Sequence, residues 1–213
     1  MIPRATARSR APRGQGERLR DEILDAAEDL LARTASEEAV SIRAVSDAVG
    51  VTAPSIYRHF DDKNHLIYEV CLRCFGELAE VIAAAVVPDG PVATLRAQAR
   101  AYIHFGMDHP EHYRVMFMGR FELTPEQYAD ELLTDTSAFG MLHGTVDAIL
   151  ATGRVRPELA AEGPMALALL CWSTVHGLTS LLVAKPRLPW PDIDHFIEAM
   201  LDTHVRGMLR GRH

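Results

Sequence analysis

The sequence has few of the features that mark exported, membrane-bound or catalytic proteins. Its three cysteines are an odd number and no apolar signal segment accompanies them, so we expect no disulfide framework and a cytoplasmic location. No nucleophile elbow, phosphate-binding loop or HExxH motif occurs, which argues against the corresponding enzyme classes. The sequence therefore predicts a protein that is not an enzyme.

Long uninterrupted apolar runs are also missing. The longest apolar stretch, 165–184, is interrupted by polar or small residues, namely Ser173, Thr174, His176, Gly177, Thr179 and Ser180. Such a segment favours a buried helix over a lipid-facing span, so we expect no membrane segment.

Sustained period-two alternation is absent, which excludes a sheet-based core and predicts an all-α fold. With 213 residues and 48% hydrophobic content, the chain is large enough for one or two compact domains. Apolar periodicity, caps and Pro or Gly breaks predict helices at about 17–33, 42–49, 53–60, 62–87, 92–108, 110–119, 125–152, 163–184 and 191–210.

Charge is distributed unevenly along a chain whose net charge is -7. Residues 1–20 contain six arginines and one acid, whereas the chain after Lys63 has 12 basic and 18 acidic residues. Residues 1–16 hold almost no large apolar side chain, so we expect a disordered basic arm. The arm is a candidate for minor-groove or phosphate contacts; the alternatives are a solvated tail or an incorrectly assigned start.

Two short helices and a tight turn are predicted around Gly50. Ser41 is a candidate N-cap for 42–49 and Gly50 a candidate C′ residue, while Thr52 and Pro54 begin the next helix. A preceding helix at 17–33 completes a helix-turn-helix arrangement, in which the second short helix enters the DNA major groove.

The side-chain pattern of this segment fits DNA contact. Ile56 and Phe60 are four residues apart and are expected to point inward with Val45 and Val49, while Arg58 projects outward. Small residues permit close approach to base edges, and these are Thr52, Ala53 and Ser55. Longer side chains can reach phosphates, and these are Tyr57, His59 and Lys63.

The run SIRAVSDAVGVTAPSIYRHFDDKNHL resembles the DNA-binding domain of the tetracycline-repressor (TetR) family of bacterial transcription regulators. The resemblance covers about 17–66, and its most specific part is Tyr57-Arg58-His59-Phe60 with Lys63. One departure is TASEEAV after the first helix, where the family usually has a Gly.

The resemblance implies roles for individual residues. Ser41 and Arg43 would contact DNA from the second helix, with Arg43 a candidate for reading a guanine. The remaining predicted contacts are Thr52, Ala53, Pro54 and Ser55 at the groove, and Tyr57, His59 and Lys63 on the backbone. In the alternative interpretation, Tyr57 and His59 are only structural.

The resemblance also implies that 67–213 dimerises and binds an inducing ligand. We expect the helices at 163–184 and 191–210 to form the dimer interface; alternatively, they pack within one subunit. Trp172, His176 and Gly177, together with PEHYRVMF at 110–117, resemble a subgroup marked by Trp, His and Gly at this spacing.

A ligand pocket is predicted from aromatic and Met residues with polar anchors. The candidates are Phe105, Met116, Phe121, Phe139 and Trp172, with His104, His143 or His176 as anchors. The alternative places these residues in the core, with Trp172 and His176 as a structural pair one helical turn apart.

Two metal or redox interpretations are weaker. Cys71 and Cys74 lie on the apolar side of their helix without a second Cys pair, so buried thiols are expected. His104, His109 and His112 are a further metal candidate, although Pro110 separates them. We expect no metal and no cofactor.

These observations lead to the hypothesis of a homodimeric, ligand-responsive transcription regulator, most simply a repressor, bound to a pseudo-palindromic double-stranded operator. The rival is a helical ligand-binding or enzymatic protein whose head no longer binds DNA. A second alternative is a transcriptional activator.

Overall fold

The computed structural model describes residues 15–34, 40–118 and 134–211. These residues form ten helices and contain no β-strand beyond an isolated bridge between Val155 and Leu209. The all-α prediction is therefore confirmed for this part of the chain. The structure divides into two compact units, and the boundary falls after Val70.

The first unit contains three helices and the beginning of a fourth. These are α1 (Gln15–Thr34), α2 (Ile42–Val49), α3 (Ala53–Ile56) and α4 (Lys63–Ala84). Its core is built from the apolar faces of all four helices and from two residues in the connections between them, Val40 and Phe60. The buried helical residues are Ile23, Leu24, Ala27, Leu31, Val45, Ile56, Leu66, Ile67 and Val70. The inward positions predicted for Val45, Ile56 and Phe60 are correct.

The second unit contains the rest of α4 and six further helices. They are α5 (Pro91–Asp108), α6 (Pro110–Met118), α7 (Ala138–Ala151), α8 (Pro157–Ala160), α9 (Gly163–Ala184) and α10 (Ile193–Met208). One part of its core joins α5, α7, α9 and α10 through Leu95, Val146, Ile149, Val155, Leu167, Ala168, Cys171 and Met208.

Several predicted boundaries are wrong. α1 begins at Gln15, so it includes two residues that we assigned to the arm. α3 ends at Ile56 because Tyr57 to His59 form a turn. The single helix predicted at 125–152 is interrupted, since 134–137 are not helical and Ser137 caps α7 by accepting a hydrogen bond from the Gly140 N–H. The helix α8 was not predicted.

Within the described residues, α9 is the one helix whose length and composition would suffice to cross a bilayer. Eight of its residues are buried in the second unit: Leu167, Ala168, Cys171, Val175, Leu178, Thr179, Leu182 and Val183. α9 is therefore a helix with one buried face, as the interrupted apolar stretch at 165–184 predicted.

Polar contacts tie α10 to two neighbouring helices. Arg96 of α5 donates to Glu198 and Asp202, each at 2.6 Å, and Arg100 also donates to Glu198. The hydrogen bond from Arg100 lowers the pKa of Glu198. These charge-assisted bonds converge on one acid from two arginines, a geometry that contributes more than an isolated surface pair.

His204 of α10 bridges to α9 as a neutral ring. Thr174 donates its hydroxyl proton to the Leu170 carbonyl, so its oxygen accepts from Nδ1–H of His204 at 3.2 Å. The other nitrogen, Nε2, lies 3.3 Å from the sulfur of Cys171 and accepts its weak S–H. Burial lowers the pKa of His204 and raises that of the Cys171 thiol to about 11.

α5 and α9 approach closely where α5 has no side chain. A Cβ atom on Gly106 would lie 2.2 Å from Cγ2 of Thr179 and 3.0 Å from Cδ2 of Tyr113. Thr179 is fully buried, and its hydroxyl is bonded to the Val175 carbonyl at 2.8 Å, so its methyl group cannot rotate away without losing that bond. Glycine is therefore required at this contact.

We predict that Gly106→Ala destabilises the second unit by about 1–2 kcal/mol, because the overpacking penalty exceeds the gain in helix propensity. The check is the midpoint of urea unfolding, with the slope unchanged. Gly144→Ala on α7, where a Cβ meets nothing within 4 Å, is the matched control and should be neutral or stabilising. Equal stability changes in the two variants would contradict the close contact.

We also predict that acid weakens the fold through His204. Its pKa is lower when folded than when unfolded, so its stabilising contribution is complete above about pH 6.5 and is lost as the pH falls through the folded value. The difference in the free energy of unfolding between wild type and His204→Gln should therefore decrease as the pH falls from 7 to 5. Urea unfolding at several pH values measures this difference, and His195→Gln, exposed on the same helix, controls for losing a histidine. Parallel curves for wild type and His204→Gln would show that protonation of His204 is not coupled to folding.

Candidate DNA-binding and effector sites

The turn between α2 and α3 is held by capping at both ends of α2. The hydroxyl of Ser41 accepts from the Ala44 N–H at 3.1 Å, and Gly50 adopts the left-handed conformation with φ 76°. The backbone N–H groups of Gly50 and Val51 both donate to the Ser46 carbonyl, at 2.9 and 3.0 Å. Both predicted caps of α2 are confirmed, and they fix where α3 begins.

Five of the nine predicted DNA contacts are exposed. Ser41, Thr52 and Pro54 are open to solvent, the Arg43 side chain is 93% exposed, and Tyr57 is 53% exposed. The other four, Ala53, Ser55, His59 and Lys63, are half-buried. All nine lie on α2, α3, the turn between them or the beginning of α4, so they share one region of the first unit.

The hydrogen bonds of these residues leave donors available. The Ser41 hydroxyl only accepts in its cap, so its proton can still be donated. The hydroxyl groups of Thr52 and Ser55 lie 3.0 Å apart and pair with each other at the start of α3. Thr52 occupies the N-cap position of α3, but its side chain makes no capping hydrogen bond to the helix backbone.

A set of contacts around Phe60, the residue between α3 and α4 that enters the core, was not predicted from the sequence. Arg20 of α1 donates to Glu69 of α4 at 2.5 Å, and its guanidinium carbon lies 5.4 Å from the centre of the Phe60 ring. His65 meets the same ring edge-on at 5.8 Å. Asp62 caps α4 by accepting from the His65 N–H at 2.8 Å. These contacts position the residues that follow α3.

In the second unit, four helices bring six rings together as an aromatic cluster: Tyr102 of α5, Tyr113 and Phe117 of α6, Phe139 of α7, and Trp172 and His176 of α9. Phe117 lies 4.8 Å from His176 and 6.2 Å from Trp172. Trp172 lies 5.5 Å from His176 and 5.7 Å from Phe139, measured between ring centres.

Hydrogen bonds run through the polar half of this cluster. The Trp172 indole donates to the Tyr102 hydroxyl at 3.2 Å, and the Tyr102 and Tyr113 hydroxyls lie 2.9 and 2.8 Å from Nδ1 of His176. Tyr113 also contacts Ser180 Oγ at 2.9 Å. Burial raises the pKa of both phenols and lowers the pKa of His176, so all three groups are neutral near pH 7.

The structure brings together only some of the predicted pocket residues. Phe139, Trp172 and His176 belong to the aromatic cluster. Met116 is buried, and the buried Phe105 makes its ring contacts with His109 and His112. Phe121 lies outside the described residues. Of the other two anchors, His143 is half-buried on α7 and Nε2 of His104 lies 3.5 Å from Asp194.

Tyr102, Tyr113 and Phe117 were missed because nothing in the sequence marks a tyrosine as facing a particular histidine. Tyr113 and Phe117 do lie inside PEHYRVMF, the motif that we associated with the subgroup.

The cysteine and histidine metal candidates find no support in the described part of the chain. No group of three or more His, Cys, Asp or Glu side chains there is arranged to hold a metal ion. Cys71 and Cys74 are buried thiols that form no disulfide, as expected. His112 faces Glu77, with Nδ1 3.2 Å from Oε2, while His104 faces Asp194.

A face of α9 carries exposed apolar side chains every fourth residue. Met165, Leu169 and Leu181 are exposed, with the exposed small residues Ser173 and Gly177 between them. On α10, Phe196, Ala199, Thr203 and Gly207 are exposed at similar spacing. Cβ atoms placed on Gly177 and Gly207 would meet nothing within 4 Å. We call these two stripes the α9–α10 face.

Two solved structures share this fold. A protein of unknown function from Rhodococcus sp. RHA1 is 24% identical, with a TM-score of 0.75 over 90% of this chain and 96% of the other. A TetR family transcription regulator from Marinobacter aquaeolei VT8 is 17% identical, with a TM-score of 0.70 over 94% and 100% of the two chains. The HTH-type transcriptional regulator YobS of Bacillus subtilis (strain 168), described as uncharacterized, is 21% identical over 88% of this chain and 91% of its own length.

Family models match both units. The model for bacterial regulatory proteins of the tetR family matches residues 23–70, and that for the tetracyclin repressor-like C-terminal domain matches residues 95–204, more than half of the 213 residues. Neither description names the Trp-His-Gly subgroup, which stays a prediction. The chain belongs to the TetR family, and it is a DNA-binding transcriptional regulator.

Proposed function

We propose that the protein is a ligand-responsive repressor that binds a pseudo-palindromic operator as a homodimer in the cytoplasm. The main support for this proposal is the geometry of α2 and α3 in the first unit. The capped turn between these helices leaves four predicted contacts exposed to solvent, namely Arg43, Thr52, Pro54 and Tyr57. The three described cysteines form no disulfide, which fits a reducing compartment.

DNA recognition is assigned to the nine predicted contacts. Arg43 carries a fork of N–H donors that matches the N7 and O6 acceptors of guanine, and Asp47 is a weak partner for it at 4.0 Å. Thr52, Ala53, Pro54 and Ser55 are small enough to let α3 approach base edges. Ser41, Tyr57, His59 and Lys63 supply donors for phosphate oxygens.

The short recognition helix makes dimerisation necessary for specificity. α3 has only four residues, so a single head makes few base contacts, and two heads on successive half-sites add their binding free energies. Twofold symmetry in the protein then requires an inverted repeat in the DNA.

The α9–α10 face is the proposed dimer interface. Leaving Leu169, Leu170 and Leu181 about half exposed is unfavourable in an isolated subunit, and contiguous exposed apolar surface marks association sites. Gly177 and Ser173 interrupt the stripe where two copies of α9 would cross, and small residues permit a short distance between helix axes. Two such helices from each subunit form a four-helix bundle.

The effector is proposed to act through the population of DNA-binding conformations. A ligand shifts that equilibrium only by the difference between its affinities for the two states. α4 is the proposed connection, because the boundary between the two units falls within this one continuous helix.

We predict that selection from a random duplex pool enriches an inverted repeat, and that Tyr57→Ala/Lys63→Ala loses the enrichment. On the selected operator, Arg43→Ala should bind at least about 30-fold more weakly, because each of the two heads loses a bidentate guanine contact that is worth about 1–3 kcal/mol. Lys63→Ala should reduce the slope of log affinity against log salt. Fluorescence anisotropy at several salt concentrations measures all three variants.

Arg33→Ala is the matched control for Arg43→Ala. Arg33 is also an exposed arginine of the first unit, but it lies in the last turn of α1 and pairs with Asp29 at 2.8 Å. Its removal should leave operator affinity within about twofold. Equal losses for Arg33 and Arg43, or no enriched sequence from a folded dimer at low salt, would contradict the assigned DNA surface.

We further predict that Leu169→Glu/Leu181→Glu yields monomers at micromolar concentration, because dimerisation would bury four added carboxylates without partners. Sedimentation equilibrium measures the association. Val81→Glu, on α4, replaces another exposed apolar residue and should leave the dimer intact. A double variant that stays dimeric would place the interface elsewhere.

A further inference from the structure

Counting donors and acceptors assigns the proton of His176. The Trp172 indole can only donate, and it donates to the Tyr102 hydroxyl. Tyr102 therefore has its own proton to give, and Nδ1 of His176, at 2.9 Å, is placed to accept it. Tyr113 has two other acceptors, Ser180 Oγ at 2.9 Å and the His176 carbonyl at 3.2 Å. The arrangement that gives each buried phenol an acceptor leaves Nδ1 without a proton.

The neutral imidazole then carries its proton on Nε2. Within residues 15–34, 40–118 and 134–211, no hydrogen-bond partner is found for Nε2 of His176. The His176 ring is half-buried. A fixed N–H donor without a protein partner is the kind of polar group that orients a ligand inside an apolar site.

The surroundings of this donor are flat and apolar. Phe117 presents its ring edge-on to His176, and Phe139 meets Trp172 edge-on. All three apolar rings, Phe117, Phe139 and Trp172, are half-buried and come from three different helices. Aromatic surfaces at this spacing favour a planar partner that stacks on one ring and meets another with its edge.

Among the described residues, no charged side chain takes part in the hydrogen-bond network of the cluster. Its polar members are two phenols, an imidazole, an indole and the Ser180 hydroxyl. An anionic ligand would lose its hydration here without gaining a cation, which is unfavourable in a partly buried site. A neutral hydrogen-bond acceptor loses much less.

A second unpaired polar atom lies on the same face of α5 as Tyr102. Gln98 is one helical turn away and is buried, and among the described residues its Oε1 accepts no hydrogen bond. A buried water satisfies such an oxygen as well as a ligand donor would, so Gln98 does not bear on the chemical class of the effector.

We propose that the effector is an uncharged, flat aromatic molecule whose carbonyl oxygen or equivalent acceptor binds Nε2–H of His176 while its ring packs against Phe117, Phe139 and Trp172. This inference rests on the proposed response to a ligand and names the chemical class of that ligand. It concerns binding to the second unit alone.

Three probes of similar shape test the proposal. They are 2-acetylnaphthalene, which has an uncharged acceptor, 2-ethylnaphthalene, which has none, and 2-naphthoate, which is charged. Binding is followed by the indole N–H resonance of Trp172 in full-length protein labelled with 15N-tryptophan, with Trp190→Phe removing the second tryptophan signal. We expect 2-acetylnaphthalene to bind about tenfold more tightly than either other probe, as a net gain of one hydrogen bond predicts.

The variant His176→Phe keeps a ring but removes the donor. It should bind 2-ethylnaphthalene as wild type does and lose the preference for 2-acetylnaphthalene. His104→Phe, which removes a histidine outside the cluster, should retain that preference. Because His176→Phe also removes the acceptor for the Tyr102 phenol, the tautomer is measured in wild type as well, and the imidazole 15N shifts should show Nε2 protonated and Nδ1 unprotonated.

Four outcomes would each overturn the proposal. Two concern affinity: equal binding of 2-acetylnaphthalene and 2-ethylnaphthalene, or tighter binding of 2-naphthoate than of 2-acetylnaphthalene. The other two are no shift of the Trp172 resonance with any probe, and a proton on Nδ1 of His176. None of these measurements involves DNA. Operator binding by the same protein, measured separately, decides the DNA assignment, and a ligand of other chemistry that released the operator would support the repressor function while refuting this class of effector.

Discussion

The second unit depends on the close approach of α5 and α9 at Gly106. Because no side chain separates the helices there, Tyr102, one turn earlier on α5, can reach Trp172 and His176 on α9. Arg96 and Arg100, on preceding turns of α5, bond to α10, and Leu95 enters the core with α7. A single helix thus positions both the aromatic cluster and the helices of the proposed interface, and a larger residue at Gly106 would disturb all of them together.

In the first unit, by contrast, local sequence signals determine where the short helices begin and end. Ser41 and Gly50 delimit α2 by capping, and the predicted bounds of that helix are correct because each cap satisfies backbone groups within a few residues. The function follows from the same short segment. A turn with fixed ends places a few side chains on the surface in a set order.

Sequence reasoning failed where contacts between residues far apart in the chain determine the structure. The end of α3 was placed four residues too late because Phe60 is drawn into a core with Arg20 and His65, partners that helical periodicity does not identify. Trp172 and His176 were paired correctly, since residues four apart on a helix meet whatever the tertiary structure. Their phenol partners come from 63 and 74 residues away.

The Cys171–His204 contact has a consequence for chemistry with oxidants. A histidine beside a cysteine often activates the sulfur, but here burial raises the thiol pKa to about 11, so only about one molecule in ten thousand carries a thiolate at neutral pH. The sulfur gives its proton to a hydrogen bond instead of losing it. Peroxide and alkylating reagents, which attack the thiolate, should therefore leave Cys171 unmodified in the folded protein.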